Sequence, residues 1–226
     1  MATCKMQAHS RAHPQLLRLS RSALSFRTTL SCDLSSPRNF CHSYNYCTPL
    51  GEPADDVCIG RGVTTAVDAG SAGATTFEGF RKFAAEPAQT RLLCILNASM
   101  HGLASAGSTG GSGGGELDSL NQVQVEPLVK VIEENRDLCV GIKVRLSADA
   151  ANDGKNEKEA YVRALQACEL AGVPLMTHHT FSTVPLTECP GADASPVKMR
   201  KGDLYTHTFH GFEVTSPKLQ AGAGWC

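Results

Sequence analysis

Apolar and polar positions change period repeatedly along this chain, and each change predicts an element. Val140, Ile142, Val144 and Leu146 alternate with Gly141, Lys143 and Arg145, a two-residue period that predicts a strand with one apolar and one cationic face. GVTTAVDAG at 62–70 is a β-branched run closing on Asp-Ala-Gly, as in a strand entering a loop. LLCILN at 92–97, residues 173–176 and residues 204–206 predict further short strands, and a weaker signal lies near Cys41. Helical spacing fills the gaps. Thr76 to Ala85 carries Phe77, Phe80 and Phe83 on one side. Leu117 to Asn135 repeats Val125, Leu128, Val129 and Ile132, with Pro127 setting a helix start near Glu126 or a kink. Glu157 to Ala171 turns Ala160, Ala164, Leu165 and Cys168 inward and stops at Gly172.

Repeated strand–helix alternation predicts an α/β fold with parallel strands, in a barrel or a doubly wound sheet. In a barrel the apolar face of 140–146 meets the helices, and Lys143 and Arg145 point inward. A lysine there loses solvation, which favours the neutral amine. A neutral amine can take up carbon dioxide to give a carbamate, an anionic metal bridge. The competing reading is an edge or surface strand with solvated cations. His178 in VPLMTHHT and His207 in GDLYTHTFHG both fall where a strand passes into a loop, the active end of such barrels. Two imidazoles and a carboxylated lysine could together hold two divalent cations; each histidine alone could equally be a hydrogen-bonded structural residue. His179 and His210 read as loop residues or supports of the site. His101 opens the glycine-rich stretch 101–116, which lacks the Gly-Lys-Ser/Thr ending of a phosphate cradle and reads as a mobile lid or spacer.

Composition narrows the classes. The 226 residues carry a net charge of −1, so there is no basic bias toward nucleic acid. No apolar run has the length of a membrane span. The ten cysteines form no CxxC pair, and Cys94, Cys139 and Cys168 sit in apolar segments, as buried free thiols of a reducing compartment would. Residues 1–37 have no acid before Asp33, while Lys5, Arg11, Arg18, Arg21 and Arg27 interleave with serines and leucines. That composition fits a mitochondrial transit peptide or an unstructured, non-homologous leader, so cytoplasmic and mitochondrial locations both stay open.

Five stretches together carry a resemblance: GVTTAVDAGSAG at 62–73, GGGELDSLNQ at 113–122, GIKVRLSA at 141–148, GVPLMTHH at 172–179 and GDLYTHTFHG at 202–211. In this order they resemble the amidohydrolase superfamily, specifically its dihydroorotase-related, metal-dependent deacetylases. The resemblance implies a (β/α)8 TIM-like barrel with two divalent metal ions, usually zinc, although manganese, cobalt and iron suit such ligands too. It implies Lys143 as the catalytic, carboxylated bridging ligand and His178 and His207 as metal ligands on the fifth and sixth strands. His42, in CHSYNYCTPLG, matches the second member of the family's His-x-His pair. The implied reaction is hydrolysis of an acyl ester or amide of a small carboxylated substrate, and Arg145 is the candidate to orient its anionic group.

There are departures. Phe40 stands where the first histidine of the pair belongs, and Arg38-Asn39 precede it where the family has Asp-Leu. After Gly211 the resemblance fades, and the last two strand–helix units with their aspartate have no counterpart. The expectation is therefore a partial barrel over 38–212, between a leader at 1–37 and a non-homologous tail at 213–226, with impaired or absent turnover. The alternative is a catalytically dead truncated member or interaction fragment that self-associates through its open barrel edge. Expected partners are a small-molecule substrate, and neither nucleic acid nor membrane.

Overall fold

The computed structural model describes residues 40–105, 115–184 and 199–207. The leader at 1–37, the loop segment 106–114, His210 and the tail at 213–226 lie outside the described residues. Six strands follow in chain order: β1 (Phe40–Cys41), β2 (Thr65–Asp68), β3 (Arg91–Asn97), β4 (Cys139–Leu146), β5 (Leu175–His179) and β6 (Leu204–Thr206). They pair in that same order, every pair parallel, and the sheet curls into a half-barrel. The weak signal near Cys41 is thus a real, two-residue strand. Helices α1 (Ala54–Val57), α2 (Phe77–Phe80), α3 (Val125–Glu134) and α4 (Glu157–Ala171) supply the crossovers. No helix among the described residues is long and apolar enough to cross a membrane.

The sheet has two unlike faces. On the helix side, Leu92, Cys94 and Leu96 of β3 and Ile142, Val144 and Leu146 of β4 join Leu128 and Ile132 of α3 and Ala160, Ala164 and Cys168 of α4 in one buried core. Full burial of each large aliphatic there contributes about 1.5–3 kcal/mol. Register places Ile95, Asn97, Lys143, Met176 and His178 on the opposite, inner face. A bulge at the foot of β4 sets this phase: Cys94 pairs with Cys139 but Ile95 pairs with Gly141, leaving Val140 as the extra residue.

Several boundaries agree with the periodicity, among them α4, whose end at Gly172 takes a left-handed φ of 64°. Others shift. β5 runs two residues later than its apolar run and takes in both histidines. Pro127 sits in the first turn of α3, and only a 3-10 turn, Leu120–Gln122, precedes it. The helix expected over 76–85 is α-helical for one turn and then widens into a π turn at Arg81–Ala85. That wider turn brings Ala84 into the core and swings Phe83 out to 76% exposure, whereas Phe77 and Phe80 are buried as expected. The cysteines among the described residues are free thiols, with Cys58, Cys94, Cys139 and Cys168 buried. Burial pushes the Cys41 and Cys168 thiols up to about 12, so they stay protonated and unreactive at neutral pH.

Candidate functional site

Lys143 lies at the middle of the inner face, 4% exposed, with Asn97 and Met176 as its strand neighbours. Among the described residues it forms no ion pair. Its stem fits over Gly70, which follows β2 at a φ of 91°; a Cβ there would come within 2.5 Å of Lys143 Cδ. Only glycine allows both that backbone angle and that approach. Burial holds the ammonium below its usual range, with the Glu116 carboxylate opposing and Arg145 adding to the shift.

His42, just past β1, contacts Ser71 Oγ through Nδ1 at 3.2 Å. The Ser71 hydroxyl gives its one proton to Asp68 Oδ2 at 2.7 Å, so it can only accept from the imidazole. Asp68 is wholly engaged, taking bonds from the Ser43 amide and hydroxyl and from the Gly70 and Ser71 amides as well. This relay fixes the proton on Nδ1 of His42 and leaves the Nε2 lone pair free. Burial lowers the pKa of His42, and the Lys143 charge lowers it further.

His178 and His207 meet across the ends of β5 and β6, Nδ1 to Nε2 at 3.1 Å, with ring centroids 4.2 Å apart. His178 Nε2 reaches Thr180 Oγ1 at 2.8 Å. His207 adopts a left-handed φ of 63°, uncommon for a residue with a side chain. Burial pushes His178 down to about 2, with the Lys143 charge next and those of His207, Arg145 and His42 behind it. Lys143, His42, His178 and His207 therefore share one electrostatic environment. Among the described residues, however, no group of three or more His, Cys, Asp or Glu side chains is arranged to hold a metal ion.

Arg145, one step beyond Lys143 on the same face, lies between two carboxylates. Its Nη1 lies 3.4 Å from Glu116 Oε1 and its Nη2 3.5 Å from Asp149 Oδ2. Glu116 is the residue that sequence reasoning missed. It is 0% exposed, and its Oε2 accepts from Asn97 Nδ2 at 3.0 Å, while the same amide donates to Gly70 O at 2.9 Å. The only signal was its place in GGGELDSLNQ. The last residues of the glycine-rich stretch are accordingly no free spacer: Gly115 packs on Ala150, and Leu117 is in the core. His179, next to His178, belongs to the strand rather than a loop. It is buried on the helix side, with Nε2 against Val184 O at 3.0 Å and Nδ1 against the Tyr205 hydroxyl at 3.2 Å. His101 is exposed and bonds Thr75 Oγ1 at 3.1 Å. Phe40 falls in phase with His42 on the inner face.

No protein-family model matches the chain. A deacetylase of Enterococcus faecalis is 32% identical over 159 residues, 70% of this chain and 39% of that protein. A deacetylase of Agrobacterium fabrum is 30% identical over 152 residues, 67% of this chain and 34% of that protein. A dihydroorotase crystal structure superposes with a TM-score of 0.57 at 27% identity, covering 63% of this chain and 36% of that one. The chain belongs to the amidohydrolase superfamily. An adenine deaminase structure of the same superfamily matches nearly as well, with a TM-score of 0.56 at 28% identity over 62% of this chain and 36% of that one. The chain thus spans between a third and two fifths of the superfamily members it matches.

Proposed function

We propose that the chain carries the metal-dependent acyl hydrolase chemistry of its superfamily, acting on an ester or amide of a small carboxylated molecule. One observation supports this most: a buried lysine with no ion pair among the described residues, held on the inner face beside His42 and His178, whose pKa values burial lowers. The donors suit a divalent metal by their chemistry, although among the described residues the side chains are not arranged around one. His42 would offer a directed Nε2 lone pair, His178 and His207 ring nitrogens, and Lys143, as a carbamate, oxygens. A divalent ion held by these residues would supply Lewis acidity toward a scissile carbonyl and water. The remaining work falls to the chain: Ser71 and Asp68 hold the His42 tautomer, Gly70 gives the lysine its room, and Arg145 orients the substrate's carboxylate.

Phe40 favours a second reading, a member that binds metal without turnover, since phenylalanine offers no ligand at a position in phase with His42. Plasma mass spectrometry of the purified chain after zinc loading, together with hydrolysis of N-acetyl amino acids, tests both. Metal uptake that Lys143→Ala abolishes, with slow deacetylation, is the expected result. Uptake without turnover selects the second reading, and a folded chain that takes up no metal overturns both.

A further inference from the structure

The guanidinium of Arg145 is held firmly from one side only. Glu116, fully buried and fixed by Asn97, stands behind Nη1 as a counter-ion that cannot follow a ligand. On the other side, among the described residues, Arg145 Nε is buried with no hydrogen-bond partner and its neighbour Nη2 has only Asp149 at 3.5 Å. Nε and Nη2 form the edge of a guanidinium that takes a carboxylate two-pronged, at about 2.7–2.9 Å when the pairing is good. Asp149 meets that edge at one nitrogen and at long range. It sits in the 3-10 turn Ala148–Ala150 directly after β4, its side chain is 47% exposed, and its other oxygen accepts from the Ser147 hydroxyl. Leaving Arg145 would therefore strand neither oxygen of Asp149.

The geometry points to Asp149 as a built-in stand-in for the substrate's carboxylate: it covers the Nε/Nη2 edge of Arg145 in the empty site and is displaced when an anionic substrate binds. Every carboxylated ligand then competes with Asp149 for that edge, while a neutral analogue does not. The inference rests on the carboxylated-substrate reading above.

Calorimetric titration of the full chain with N-acetylglycine and with its neutral amide, at low ionic strength, tests it without requiring turnover. The wild type is expected to prefer N-acetylglycine. Asp149→Asn and Asp149→Ser should each tighten N-acetylglycine binding about two- to fivefold, the range for releasing a part-exposed ion pair, and leave the amide unchanged. Arg145→Gln should abolish the preference. If Arg145→Gln abolishes it while both Asp149 variants bind as the wild type or more weakly, the stand-in is wrong and the substrate reading survives. If the wild type shows no preference, or Arg145→Gln keeps it, the carboxylate contact falls and the stand-in with it.

Discussion

The helix side of the sheet and its inner face both bury polar groups, yet they treat them differently. On the helix side, His179 has a carbonyl for one ring nitrogen and a tyrosine hydroxyl for the other. On the inner face, among the described residues, Lys143 has no ion pair and Arg145 Nε has no hydrogen-bond partner. His178 and His179 are adjacent in the chain and fall on opposite sides of this divide. Satisfied polar groups stabilise a core; polar groups held rigidly and left unsatisfied are what a site keeps for a ligand. The difference says where on this fold substitution should cost stability and where it should cost chemistry.

The largest effect expected lies on the helix side. Ile142→Ala should destabilise the chain by about 2–5 kcal/mol in urea titration, through lost burial and the cavity left behind. His179→Leu comes next, leaving Val184 O and the Tyr205 hydroxyl unpaired at about 1–3 kcal/mol for each buried group. Lys143→Met, one residue from Ile142, should break the pattern in the other direction. It removes a buried amine that has no ion pair among the described residues, so stability should hold or rise by about 1 kcal/mol while zinc uptake disappears. A loss of stability as large as that of Ile142→Ala would erase the distinction between the faces.

The smallest effect is graded with pH. Burial keeps His178 neutral in the folded chain down to about 2, whereas the unfolded chain takes up that proton near the ordinary value of 6.5. Below that value the unfolded state binds more protons, so stability must fall as pH falls. Metal-free protein should accordingly show a lower melting temperature at pH 6 than at pH 7, and His178→Gln should flatten the slope. A slope that this variant leaves unchanged would mean another group carries it.

Much of this was legible in the chain. Alternation in 139–146 marks both the strand and its cationic face, and the spacing in 157–171 marks α4 because Gly172 ends it with a backbone few other residues adopt. β5 was harder, since a strand through Thr-His-His has no apolar run to betray it; its two imidazoles serve opposite faces. Phe83 misled because the stripe assumes an α-helical turn, and the chain widens into a π turn after Phe80. Glu116 was invisible for a different reason. Its role depends on Asn97 and Arg145, which lie 19 and 29 residues away, and no local period encodes such a meeting.

The bulge at Val140 deserves a last consequence, because it turns an odd count into an even one. Were Val140 paired in the ladder instead of bulged, Cys139 would still face the helices, but every position after it would change sides. Ile142, Val144 and Leu146 would line the hollow of the half-barrel, and Lys143 and Arg145 would be driven into the aliphatic layer. The side on which Lys143 and Arg145 emerge is thus a matter of parity, set by one valine outside the core. Sequence comparisons that align the lysine motif while ignoring the residue count before it would lose the side of the sheet on which the lysine emerges.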